Sequence, residues 1–195
     1  AQERGFELPA QPEGESCPLR WLCYSALLCE SNPPARAAAG LLHSLFIDGE
    51  GRLSSCGNAG SYPGLLGHGE GVRRLNTPTR LPSTLGERAV SVSAGAHHSF
   101  ALTAGGAVWS WGLGGVGRLG HGVGQSQLLP KKIEALAGRR VVAASAGGDY
   151  SIAILCDDAV FTWGQGPHGC LGQGEDLSNQ LLPRKISRCG RKASK

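Results

Sequence analysis

The chain has 195 residues, enough for one domain or a piece of a larger one, and 41% of them are hydrophobic against 17% charged. Its 31 glycines and 11 prolines stay below the level of a disordered low-complexity chain and suit many turns between short strands. The formal charge of +4 misleads: residues 1–183 hold 13 basic and 15 acidic side chains, so the body is near neutral and only the end of the chain is basic.

Residues 1–37 form an unassigned N-terminal extension without a repeat pattern. Their one sustained apolar stretch, Trp21 to Cys29, is far too short to span a bilayer. Glu3, Glu7, Glu13 and Glu15 outnumber Arg4 and Arg20 upstream of it, the wrong sign for a signal peptide. Neither secretion nor a membrane anchor is expected. The chain contains no methionine, which points to a removed initiator, a fragment or an incomplete reading frame. Cys17, Cys23, Cys29, Cys56, Cys156, Cys170 and Cys189 include no C-x-x-C pair, which argues against zinc ribbons and thioredoxin-like chemistry. Scattered thiols of this kind predict an intracellular protein, cytoplasmic or nuclear.

From residue 38 the sequence repeats in three units, about 38–90, 91–141 and 142–187. Gly40, Gly95 and Gly147 open the units, 55 and 52 residues apart, and Ser44, Ser99 and Ser151 follow four residues later. Gly57, Gly112 and Gly164 come 17 residues after each opening glycine, then Leu66-Gly67, Leu119-Gly120 and Leu171-Gly172, then Pro78, Pro130 and Pro183. In the second unit Ala89 to Ala94 reads as a strand. Ser99 to Thr103 and Ala107 to Trp111 read as a hairpin closed by Ala104-Gly105-Gly106, and Lys131 to Ile133 as a fourth strand after the proline. The third unit repeats the hairpin with Ser151 to Leu155, a Cys156-Asp157-Asp158 turn and Ala159 to Trp163. No apolar period of 3.6 is sustained, so long helices are not expected. Residues 188–195 form a basic tail, read as a solvated chain end whose contact with nucleic acid would be weak at most.

Four antiparallel strands recurring about every 50 residues is the propeller-blade pattern. The expected fold is therefore all-β: a partial, about three-bladed segment of a β-propeller with four-stranded antiparallel blades. A single blade cannot bury its own faces, so Trp109, Trp111, Phe161 and Trp163 are expected to fill the space between blades. The recurrent A-G-x-x-H-S-x-A-L-T-x-x-G-x-V-x-x-W-G followed by L-G-x-G, best preserved from Ala94 to Gly122, resembles the repeat of the regulator of chromosome condensation 1 family. The third copy departs with Tyr150 in place of His43 and His98 and with Gln173 in place of His68 and His121, and the first copy has Cys56 where the others have tryptophan. The resemblance implies a closed ring of about seven blades, on the order of 360 residues, which three units cannot complete.

Several motifs invite chemistry and are better explained by architecture. Gly112-Leu113-Gly114-Gly115-Val116-Gly117 fits G-x-G-x-x-G, yet no helix-forming run follows it, and Gly164 to Gly169 repeats it one unit later. No cofactor is expected. The paired histidine positions recur one unit apart and are lost in the third unit, so His43 and His98 read as structural residues that hydrogen-bond a turn, and no metal site is expected. There is no nucleophile elbow or catalytic constellation, and no small-molecule substrate is implied. The structural repeat positions are then Gly40, Gly95, Gly147, Gly57, Gly112, Gly164, Gly67, Gly120, Gly172, Trp111, Trp163, His43 and His98.

The segments that differ between units are the candidates for reading a protein partner: Asn58 to Leu65, Gly69 to Thr77, Gly122 to Leu128 and Gly174 to Leu181. Within them Asn58, Tyr62, Arg73, Arg74, Gln125, Gln127, Asp176 and Asn179 are the candidate contact residues. The expected function is a non-catalytic protein-interaction module. The resemblance adds two readings: guanine-nucleotide exchange on a small GTPase, since the family's founder acts on Ran, and a targeting region of a larger ubiquitin ligase or kinase. The near-constant spacing leaves no room for the protruding wedge that does the exchange in the founder.

Overall fold

The computed structural model describes residues 36–82 and 85–187. The basic tail, and the extension up to residue 35, lie outside the described residues. Twelve strands in those residues form three four-stranded sheets. The first holds β1 (Ala37–Ala39), β2 (His43–Ile47), β3 (Leu53–Asn58) and β4 (Arg74–Arg80). The second holds β5 (Ala89–Ala94), β6 (His98–Thr103), β7 (Val108–Gly112) and β8 (Gln127–Lys132). The third holds β9 (Val141–Ala146), β10 (Tyr150–Leu155), β11 (Val160–Gly164) and β12 (Gln180–Lys185). Each sheet is an antiparallel meander in chain order. The all-β, three-bladed architecture expected from the repeat is the one observed.

The sheets stack face to face. β5 lies against β1 and β2, and β9 lies against β5 and β6, so the first strands run together and the fourth strands form the outer wall. One apolar core joins Leu45, Ile47 and Leu53 of the first sheet to Ala89, Val92, Ala101 and Trp111 of the second. Another joins Phe100, Leu102 and Val108 of the second to Ala153, Leu155, Phe161 and Trp163 of the third. Trp111 and Trp163 are wholly buried and Trp109 only partly. The period of two shows its consequence in burial. All six residues of β6, covered on both faces, are buried, whereas in β2 and β10 buried and half-buried residues alternate.

The fourth strand differs from its expected position. It starts before the proline: β8 runs Gln127–Lys132 and includes Pro130, and β4 and β12 likewise include Pro78 and Pro183. These are edge strands, where a residue without an N–H costs no ladder bond. Ile133 falls outside the strand, where its N–H still bonds the Val108 carbonyl at 2.9 Å. The hairpin turns hold their left-handed position with Gly106 at φ 85° and Asp158 at φ 62°, aspartate being one of the few side chains that tolerate it. The glycine-rich run after β7 makes a 3-10 turn at Gly115–Gly117 instead of opening an α-helix.

Candidate functional site

In a meander, the β1–β2 and β3–β4 type connections emerge at one end of each sheet, and the hairpins and sheet-to-sheet links at the other. All four variable segments therefore share one face, here termed the loop face. What holds that face in register is a set of seams between sheets, built from repeated residues.

The first element of the seam is a histidine–serine pair. His43 Nε2 lies 2.7 Å from Ser99 Oγ, and His98 Nε2 lies 3.0 Å from Ser151 Oγ, each bond crossing from one sheet to the next. Both hydroxyls donate back to a loop carbonyl of the sheet the histidine came from: Ser99 to Leu65 at 3.4 Å and Ser151 to Arg118 at 2.8 Å. A hydroxyl has one proton, so each imidazole must carry its own on Nε2 and donate it to the serine. Nδ1 of both rings, buried without a partner among the described residues, is then the unprotonated nitrogen. Burial pushes the His98 pKa down to about 3, helped by the Arg118 charge. Burial also lowers His43 to about 4, with a smaller contribution from His97. Rings held neutral by burial are suited to a structural bond at physiological pH.

Glycines fit the seam by close approach. A Cβ on Gly40 would stand 2.4 Å from the Gly95 carbonyl, and one on Gly95 2.4 Å from the Gly147 carbonyl. Gly67 leaves space for the Trp111 indole and Gly120 for that of Trp163, whose Nε1 donates to the Arg118 carbonyl at 2.9 Å. Gly57, Gly112 and Gly164 combine φ values of 130°, 104° and 105° with backbone from the β1–β2 type loop at under 3 Å from any added Cβ. Among the described residues a Cβ on Gly172 would meet only the Ile186 side chain.

A second repeated element escaped the sequence reading. Ser55, Ser110 and Thr162 donate to the carbonyls of Leu66, Leu119 and Leu171 at 2.7, 2.8 and 2.6 Å, pulling each Leu-Gly loop onto the third strand of its sheet. His68 and His121 bond the same serines at 3.1 and 3.0 Å. Gln173 does so to Thr162 at 3.0 Å, so the exchange of histidine for glutamine keeps the bond. The signal was available: a hydroxyl residue stands two positions before the repeat glycine in all three units.

The eight candidate contact residues all lie on or beside the loop face, with unequal freedom. Arg73, Arg74 and Gln125 are exposed, Arg73 donating to the Gly60 carbonyl and Arg74 to Asn76. Asn58 and Asn179 are exposed but accept backbone N–H bonds from Gly60 and Gly166, which stiffens their loops. Gln127 is half-buried in β8, opposite Gly112. Asp176 pairs with Arg184 and accepts two bonds from Ser178; these interactions hold its carboxyl at about 2. Tyr62 stacks on His97 of the next sheet with ring centroids 4.0 Å apart. At the following seam the buried Arg118 plays the matching part, its Nη1 2.5 Å from Asp149 Oδ1. Val123 and Leu177 add exposed apolar surface to the same face. Among the described residues no group of three His, Cys, Asp or Glu is placed to hold a metal ion, and no helix is long and apolar enough to cross a membrane.

A family model described as the regulator of chromosome condensation (RCC1) repeat matches residues 50–102, 105–154 and 157–195, and a second model of the same description matches 89–118. The first match starts in the β2–β3 turn and ends in β6, so the family's sequence unit straddles two sheets. The human E3 ubiquitin-protein ligase HERC2 is 41% identical over 138 residues, 70% of this chain and 3% of that protein. The ultraviolet-B receptor UVR8 of Arabidopsis thaliana is 36% identical over 158 residues, 79% of this chain and 35% of that one. Among solved structures, human WBSCR16 superposes with a TM-score of 0.68 at 26% identity, covering 78% of this chain and 37% of its own. Prp20p of Saccharomyces cerevisiae gives 0.70 at 24%, covering 78% and 38%. The chain thus spans well under half the length of each of these relatives.

Proposed function

The chain belongs to the regulator of chromosome condensation (RCC1) repeat family, and from that premise we propose that it is a protein-interaction module that binds its partner through the loop face and performs no bond chemistry itself. The observation that carries this reading is the division of labour among side chains. The repeated histidines, serines, tryptophans and glycines are consumed in the seams, whereas Arg73, Arg74 at the start of β4, and Gln125 stand exposed at the loop face in segments that differ from unit to unit. Loops that vary on a fixed frame are the usual place for recognition. The relatives support a regulatory setting: HERC2 is an E3 ubiquitin-protein ligase, and Prp20p has binding properties to Gsp1p and histones. A protein partner, with a small GTPase as one candidate, follows from that likeness. The three described cysteines are free thiols, in keeping with a reducing cytoplasmic or nuclear setting.

Guanine-nucleotide exchange remains the second reading, resting on the family alone. The described residues hold four strands per sheet and no added hairpin that would serve as a wedge. The test compares the wild-type chain with Arg73→Glu/Arg74→Glu/Gln125→Ala and with Arg140→Glu/Asp157→Lys at the opposite end of the sheets. Proximity labelling in cells should lose a common set of proteins with the first variant and keep it with the second, at equal melting temperature. Loss with both, or with neither, would contradict binding at the loop face. Accelerated nucleotide release from any GTPase in a panel would favour the second reading.

A further inference from the structure

The outer strand of the first sheet departs from its two counterparts at one position. Thr77 stands before Pro78 in β4, whereas Leu129 and Leu182 stand before the matching prolines of β8 and β12. No other serine or threonine in the chain precedes a proline. Arg80 follows three residues later, and Arg74 lies three residues before with Arg73 beside it.

The backbone presents Thr77 outward. Ser55 pairs with Thr79 and Gly57 with Leu75, so Cys56 alone faces Asn76, Thr77 and Pro78, and the edge strand bulges there. Thr77 is exposed, and its hydroxyl makes no bond among the described residues. Its carbonyl accepts a bond from the Thr79 hydroxyl at 3.1 Å. A sheet lying in front of the first would not close the position. Leu129 and Leu182 each approach a glycine of the sheet in front, Gly69 and Gly122, and are still 43% and 51% exposed. Pro78 disfavours a helical backbone at Thr77 and keeps it extended, the form in which a kinase cleft takes its acceptor segment. Proline also has no N–H, so it suits a kinase whose cleft asks for no donor at the residue after the acceptor. Arg80 is exposed for a charge-assisted bond to an anionic group on that kinase.

We propose that Thr77 is a phosphorylation site for a proline-directed protein kinase, and that the phosphate offsets the positive charge that Arg73 and Arg74 present at the loop face. In the transfer, Thr77 Oγ1 bonds to the γ-phosphorus of ATP held by the kinase. The bond from that phosphorus to the β–γ bridging oxygen breaks, ADP leaves, and the hydroxyl proton passes to the kinase's catalytic carboxylate. The product adds about −1.5 to −2 charges at pH 7 to a strand that carries the exposed Arg74 and Arg80, with the exposed Arg73 next to it. This consequence rests on the loop-face reading, whereas the modification itself does not.

The test incubates the folded full chain with a cyclin-dependent kinase and ATP and locates the phosphate by tandem mass spectrometry. Thr77 should be the main site. Pro78→Ala should abolish transfer to Thr77, and Arg80→Ala should slow it by about tenfold, with circular dichroism checking that each variant is folded. If a peptide of residues 72–82 is modified and the folded chain is not, the strand is closed to the kinase and the proposal is wrong. No transfer to either, or undiminished transfer in a folded Pro78→Ala chain, also overturns it. For the consequence, proximity labelling with Thr77→Glu should lose the proteins that Arg73→Glu/Arg74→Glu/Gln125→Ala loses, and Thr77→Val should keep them. Labelling unchanged by Thr77→Glu, where the triple variant does lose it, overturns the charge switch. Labelling unchanged by the triple variant itself overturns the loop-face reading and the charge switch with it, and leaves the site at Thr77 to be decided by the phosphate map.

Discussion

His98 and Ser151 stand 53 positions apart in sequence and 3.0 Å apart in space, joined Nε2 to Oγ across the seam between the second and third sheets. The bond has one function-bearing consequence: the loops on either side of it are held at a fixed spacing by residues that contribute nothing to the loop surface. It also ties stability to protonation.

Stability should fall on mild acidification. The unfolded histidines titrate near 6.5, whereas burial holds His43 and His121 near 4 and His98 near 3 when folded. Below pH 6.5 the unfolded chain binds protons that the folded chain refuses. The stabilisation is thus complete above 6.5 and is lost as pH falls towards the folded values. Between pH 7.5 and 5 the ring of His98 alone should contribute a loss on the order of 2 kcal/mol. Urea midpoints across that range measure it. His98→Gln, which keeps an N–H donor without a titration, should flatten the slope.

Gly112→Val and Gly164→Val should each destabilise the array by about 2–4 kcal/mol, because the left-handed backbone strain adds to a collision with the His97 or Asp149 carbonyl. Thermal melting checks this, and an unchanged midpoint in both would show that those glycines are not confined as described.

Trp163→Ala should cost roughly 3–5 kcal/mol as a buried aromatic truncation. The more discriminating pair is Trp163→Phe and Trp111→Phe. The Trp163 indole N–H is bonded to the Arg118 carbonyl, whereas that of Trp111 is buried without a partner among the described residues. Trp163→Phe should therefore be the costlier of the two by about 1 kcal/mol in chemical denaturation.

Val116 holds φ at 58°, an uncommon position for a β-branched residue, in the middle of the loop face. Val116→Gly relieves about 1–2 kcal/mol of backbone strain and adds about 0.4–1 kcal/mol of unfolded-state entropy. A net gain of about 0.5–1 kcal/mol in unfolding free energy is expected, read from the urea midpoint.

The frame was legible because its constraints are local and periodic. Gly112, Trp111 and Ser99 recur at fixed offsets, and β5 falls at Ala89–Ala94 as the sequence implies. The fourth strand was placed late because proline reads as a boundary, and only an edge position, a property of the whole sheet, makes Pro130 acceptable within β8. The loop face was half legible. Variable segments identify Arg73 and Gln125, but the same variability drew in Tyr62 and Asp176, whose side chains are tied to His97 and Arg184. The first tie depends on which loops meet across a seam and the second on how the loop before β12 folds back over that strand, and a single sequence encodes neither at a fixed spacing. Ser55, Ser110 and Thr162 were missed because serine and threonine at a strand position carry no apolar signal.

The central claim is that the sheets are locked to one another by pairs such as His98 and Ser151. A double-mutant cycle of His98→Ala and Ser151→Ala by urea denaturation at pH 7.5 tests it directly. The account predicts that the two costs are non-additive, with a coupling of about 1 kcal/mol or more between them. Strictly additive costs would mean that the two residues do not meet, and that the sheets are not stacked in this way.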